Sequence, residues 1–122
     1  MSNAISSNTK IKVFELCENN ESVFGKFLSL IEKEGTHINQ LAGAIRIIED
    51  TANLKLRPKK QFKQLNDLGV NCKVYEAKCK DIRVYMFKDD AGRVIIKGGM
   101  KSKQAKDIKS IVKIIKAYQY EQ

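Results

Sequence analysis

The chain is poor in the residues that most often announce chemistry. It has one histidine, one proline and three cysteines in 122 residues. The single histidine, His37, excludes a ribonuclease plan that shares acid and base work between two histidines, and a surface or capping position is expected for it. Cys17, Cys72 and Cys79 are odd in number and lack metal-type spacing, which favours reduced thiols over a disulfide framework. No His/Cys/Asp cluster suggests a metal, and no glycine-rich stretch has phosphate-loop spacing. Neither a metal nor a small-molecule cofactor is therefore expected. No apolar run approaches the ~20 residues of a membrane span, and the opening MSNAISSNTK lacks the apolar core of a signal peptide. These absences point to a cytoplasmic protein with no membrane partner. Residues 1–10 are polar and expected to be disordered, leaving 11–122 as a single domain.

What the chain does have is positive charge, unevenly placed. The formal net charge is +9. Residues 1–54 carry five basic and seven acidic side chains, whereas residues 55–122 carry 18 basic and seven acidic. Such asymmetry points to a polyanionic partner, nucleic acid ahead of a membrane surface.

In chain order, residues 11–16 alternate and read as a strand. Residues 22–34 carry an apolar stripe of Val23, Phe24, Phe27, Leu28, Leu30 and Ile31, which predicts a helix closed by Gly35. Thr36 is the expected N-cap of a second helix over 37–52, with Ile38, Leu41, Ala42, Ile45 and Ile48 as its stripe. So tight a connection makes an antiparallel helical hairpin. Pro58 ends the helical region, and 54–68 reads as a connector carrying Arg57, Lys59, Lys60 and Lys63. Phe62 and Leu65 are expected to tuck inward on a short helical turn, while the cations form a rim that positions phosphates. Ile108, Ile111, Val112, Ile115 and Tyr118 predict an amphipathic helix over 105–118.

The segment 71–106 organises the rest. Val74, Tyr75, Val84, Tyr85, Phe87 and the Val94-Ile95-Ile96 run are strand-forming. Lys80-Asp81 and Asp89-Asp90-Ala91-Gly92 are turn signals, the second with a glycine free to take positive φ. With Lys80-Asp81 as a two-residue turn, Cys79 falls opposite Ile82, Lys78 opposite Arg83, Ala77 opposite Val84 and Glu76 opposite Tyr85. Alternation then puts Tyr75, Ala77, Cys79, Ile82, Val84 and Met86 on one, core-facing side. Glu76, Lys78, Arg83 and Tyr85 occupy the other side, which is expected to be wet. Val94 and Ile96 are expected inward, Arg93 and Lys97 outward. The overall expectation is an α+β fold in which the helical hairpin and the C-terminal helix cover one face of a roughly four-stranded antiparallel sheet.

The run YEAKCKDIRVYMF, a five-residue turn and RVIIKGGMKSKQAKDIKSIVKIIKAY resembles the C-terminal half of bacterial RelE/ParE-type toxins, especially the HigB and related phage branch. The first half agrees only in element order. The resemblance implies a small basic toxin of a toxin–antitoxin pair that cuts mRNA on the ribosome and is neutralised by a cognate antitoxin protein. Lys78 matches a catalytic lysine of the RelE type, Arg83 its phosphate-binding arginine, and Lys101 a basic residue after the last strand. Glu76 stands where that type has a second lysine. Asp107 lies near where it has a tyrosine, leaving Tyr85 or Glu76 as substitute base or stacking partner. Lys97, Lys103, Arg93, Arg57, Lys59, Lys60 and Lys63 are the expected RNA contacts. ParE-like relatives use the same scaffold against gyrase, so a toxin that cuts no RNA, or a basic nucleic-acid-binding module without catalysis, is the alternative.

The chemistry asked of such a site is limited. RNA supplies its own nucleophile, the 2′-hydroxyl. The protein must accept that proton, stabilise a dianionic phosphorane and protonate the leaving 5′-oxygen. Two cations ~5 Å apart across a strand pair suit the second task.

Overall fold

The computed structural model describes residues 4–6 and 8–120. Eight strands and three helices follow in the order β1 (Ala4–Ser6), β2 (Val13–Glu15), β3 (Cys17–Glu18), β4 (Glu21–Ser22), α1 (Val23–Glu34), α2 (Ile38–Ala52), β5 (Phe62–Leu65), β6 (Val74–Cys79), β7 (Ile82–Lys88), β8 (Arg93–Met100) and α3 (Gln104–Tyr120), with a 3₁₀ turn at Lys101–Lys103. The fold is α+β, as the sequence predicts. No helix among the described residues is long and apolar enough to cross a membrane.

The main sheet has the order β1-β2-β8-β7-β6-β5. It is mixed, because β2 runs parallel to β8 while the other pairs are antiparallel. Four antiparallel strands were expected. The additions are β1, in a stretch read as a disordered tail, and β5, in a stretch read as a helical turn. Residues 1–3 and 7 of that tail lie outside the described residues. Phe62 and Leu65 do pack inward, but from an edge strand opposite Ala77 and Val74.

The hairpin arithmetic holds. Lys78 pairs with Arg83, Glu76 with Tyr85, Ala77 with Val84 and Cys79 with Ile82. Lys80 takes the left-handed conformation, φ +52°, at the turn. At the other end of β7 the Asp89 carboxylate accepts from the amides of Ala91 and Gly92, closing the second turn.

Helix α1 is capped as expected at Gly35, φ +82°, and at its start by the Ser22 hydroxyl. Thr36 does not cap α2. The Glu34 carboxylate accepts from the amides of Thr36 and His37, each at 3.0 Å, which fixes the connection between the helices; the N-cap residue of α2 is His37, without a side-chain capping bond. The buried stripe of α2 is Leu41, Ala44, Ile47, Ile48, Thr51 and Ala52, rotated from the predicted one, with Ile38 left 44% exposed.

The largest difference lies in the layers. Helices α1 and α2 cover the sheet face bearing Ala77, Ile82, Val84, Met86 and Ile95. Helix α3 does not join them. It places Ile111 and Ile115 on the opposite face, against Val74, Tyr85, Phe87, Val94 and Ile96. A bulge decides the allocation in β8: Tyr85 pairs with Lys97 but Met86 with Ile95, so Ile96 is the extra residue. Ile95 thus faces the helical hairpin, while Val94 and Ile96 turn to α3. Gly98 keeps the hairpin side bare where the Phe27 ring lies, since a Cβ there would sit 2.2 Å from it.

Candidate functional site: a basic cleft beside a buried charge cluster

Two rows of side chains cross the α3 face of the sheet. The pairings place Glu76, Tyr85 and Lys97 in one row and Lys78, Arg83 and Gly99 in the next. The polar residues expected on one face are therefore on one face, but the face is not wet. Glu76 and Tyr85 are fully buried and Arg83 is 6% exposed. The first turn of α3 covers them. Gln104 Nε2 donates to Glu76 Oε2 at 2.9 Å, and Lys97 Nζ donates to Asp107 Oδ1 at 2.9 Å. Gly99 makes room for Asp107, whose Oδ2 lies 2.1 Å from where a Cβ would be. Lys97, expected to face RNA, thus serves to tie α3 to the sheet.

Within the cluster several polar atoms make no hydrogen bond among the described residues. Glu76 Oε1 makes no hydrogen bond and lies 3.5 Å from Lys78 Nζ. Arg83 Nη1 donates to the carbonyls of Lys80 and Ile82, at 2.6 and 3.0 Å, leaving Nε without a partner. The Tyr85 hydroxyl also has no hydrogen-bond partner among the described residues. Burial, and then the nearby Glu76 and Asp107 carboxylates, push the Tyr85 phenol well above the ordinary tyrosine range. At neutral pH it is a neutral hydroxyl, which suits a proton donor and not a base.

This gives a stability prediction. The unfolded chain releases the Tyr85 proton near pH ~10 and the folded protein holds it. Stability should therefore fall as pH rises above ~10, and Tyr85→Phe should remove that part of the loss. Because the substitution also deletes a buried hydroxyl with no partner, the variant should melt at or above wild type near neutral pH. Melting curves at neutral and alkaline pH test both points. A variant that melts well below wild type at neutral pH would show that the hydroxyl is bonded.

Lys78 and Arg83 also belong to an open cleft of about 400 Å³ at the Lys80 end of the hairpin. Helix α2 contributes Arg46, the α2–β5 connection Arg57 and Lys60, and β6–β7 Lys78, Lys80 and Arg83. Among the described residues no carboxylate lines it. Arg57 is held there by Asp50, through Nε at 3.1 Å, and by Gln61 at 3.0 Å. The Arg57 hydrogen bond keeps the Asp50 carboxyl below its usual range. The cleft therefore joins Lys78 and Arg83 to part of the 57–63 rim, Arg57 and Lys60.

Other expected contacts fall elsewhere. Lys101 lines a separate depression with Asp81, Met100 and Ser102, and Lys103 is exposed and lines neither. Lys59 and Lys63 line a groove along β5. Arg93 does not face outward. It lies on the helical-hairpin side, its Nη1 donating to Thr51 Oγ1 at 2.9 Å and its guanidinium about 5 Å from the ring centres of Phe62 and Tyr75. Burial lowers its pKa. Sequence reasoning missed Arg46, Lys80 and Gln104 as site residues, and noted Asp107 without its bond to Lys97. Only one signal for α3 was present: Val74 and Phe87, both apolar, share the face that was read as wet.

Comparison with family models, curated proteins and solved structures finds no match for this chain.

Proposed function

We propose that this chain is a RelE/ParE-type toxin that engages mRNA through the basic cleft and cleaves it by attack of the RNA 2′-hydroxyl. One observation carries the reading. Six cations from α2, the α2–β5 connection and the β6–β7 hairpin line one cleft with no carboxylate among them. In this scheme Arg83 is a fixed positive charge at the cleft wall, aimed by two backbone carbonyls. Lys78, its side chain 23% exposed, is the movable cation beside it. Together they stabilise the charge that builds on the scissile phosphate. Arg46, Lys60 and Lys80 hold the flanking backbone. A cognate antitoxin would neutralise this face by covering it with acidic side chains.

The burial of Glu76 and Tyr85 favours a second reading, in which the same cleft binds a polyanion or a protein target and cuts nothing, as in a ParE-like toxin. Neither residue lines the cleft, so the identity of the proton acceptor separates the two.

Induced expression in bacteria, with primer extension on cellular mRNA, is the test. New cleavage ends and growth arrest are expected; growth arrest without cleavage would select the second reading, and harmless expression would overturn both. On isolated RNA the binding should be weak and strongly salt-dependent. Each phosphate contact adds roughly −0.7 to the slope of log K against log salt for single strands. Lys60→Ala and Lys78→Ala should each flatten that slope by about this amount, and an unchanged slope in both would remove the cleft from the binding surface.

A further inference from the structure

Beside the cleft, along the outer edge of β5, runs a groove of about 680 Å³. Phe62 and Tyr75 line it, half-buried, their rings 18° from parallel and 5.3 Å apart. The Arg93 guanidinium lies 5.1 and 5.3 Å from the two ring centres and is itself anchored on Thr51. The rings are therefore held in a fixed common orientation from the helical-hairpin side. Lys59 and Lys63 supply positive charge to the groove, Gln64 and Asn66 supply amides, and no carboxylate lines it.

We propose that this groove is a base-stacking subsite for single-stranded RNA. The proposal rests on the RNA-binding reading of the cleft and extends it. Parallel aromatic rings accept any base on their faces, and nearby lysines follow the phosphate backbone. Side-chain amides offer both donors and acceptors to the base edges. The groove is also continuous with the cleft in the chain. Lys60 and Gln61 line the cleft, while Lys59 and Phe62 line the groove. Lys60 and Phe62 are two residues apart, at most about 7 Å of chain. A strand whose phosphate sits among Lys60, Lys78 and Arg83 can thus place a neighbouring base against Phe62 and Tyr75. Charge draws the RNA in, and stacking separates RNA from other polyanions.

The test uses the full chain and two probes: a short unstructured oligoribonucleotide carrying 2-aminopurine, and inorganic polyphosphate, which has charge and no bases. Wild type should quench 2-aminopurine on binding. Tyr75→Leu should weaken the oligoribonucleotide about tenfold and leave polyphosphate binding unchanged, while Tyr75→Phe should retain both. Salt-dependent binding without quenching would overturn the groove and leave the cleft standing. An equal loss of both probes in Tyr75→Leu would likewise reduce Tyr75 to a structural residue. Binding of neither probe would overturn the RNA reading itself. Should Tyr75→Leu not fold, the wild-type quenching decides.

Discussion

Arg83→Met should abolish mRNA cleavage and growth inhibition while leaving a folded protein. The structural half of this expectation differs from what a surface position would give. Arg83 is 6% exposed, its Nη1 bonded to two backbone carbonyls and its Nε unpaired. Truncation to Ala would empty that volume and strip the carbonyls of a charged donor, a loss of about 2–3 kcal/mol. Met keeps most of the volume and so avoids the cavity, while the two carbonyls still lose their donor; the variant should melt below wild type but above Arg83→Ala. The functional half follows from the same geometry. A guanidinium aimed by backbone carbonyls at the wall of a cationic cleft is a preorganised donor, and loss of one such donor typically costs ~10²–10³ in rate. Primer extension and melting curves on Arg83→Met and Arg83→Ala separate the two effects. A fully toxic Arg83→Met would move the active surface elsewhere. A Met variant that unfolds would make Arg83 a structural residue.

Gly92→Ala should be the most damaging small substitution for the fold. Gly92 has φ +153°, and a Cβ there would sit 2.3 Å from the carbonyl oxygen of Lys12. That oxygen also accepts from the Arg93 amide at 2.9 Å, next to the start of the parallel β2–β8 pairing. The methyl group therefore meets backbone and not a side chain that can swing away, and its own φ is strained. The combined cost should be about 3 kcal/mol or more, roughly a 10 °C loss in Tm for a domain of this size. The site lies at the opposite end of β7 from the cleft, so RNA binding by the protein that remains folded should be unaltered. A variant that melts with wild type would mean that β2 is not seated against this turn.

How far the fold was legible depends on how local each interaction is. The turn at Lys80-Asp81 and strand alternation are properties of neighbouring residues, so the register of Lys78 against Arg83 and of Glu76 against Tyr85 could be counted directly. Gly35 closing α1 and the apolar period of α3 are local in the same way. The bulge at Ile96 is not, because it depends on how β8 meets a neighbour already twisted by its own packing. One extra residue there exchanged the faces of Val94 and Ile95. The edge strand β5 was hidden because its cations broke the strand pattern and because it joins β6, Phe62–Leu65 against Val74–Ala77, through a connection with no tight-turn signal to fix the register.

By itself, then, the sequence determined which residues share a face: period-two alternation needs only the strand, and it placed Glu76, Lys78, Arg83 and Tyr85 together. It also determined where the positive charge lies, since that is a matter of counting. What covers each face was decided by tertiary structure alone. Helix α3 packs where Val74, Phe87, Val94 and Ile96 offer it an apolar bed, and its first turn carries Gln104 and Asp107 to meet Glu76 and Lys97. Burying those charges is tolerable because partners arrive from 28 and 10 residues away. The cleft has the same origin. Arg46 sits in the half of the chain with an acidic excess and joins Lys78 only because α2 lies against β6 and β7.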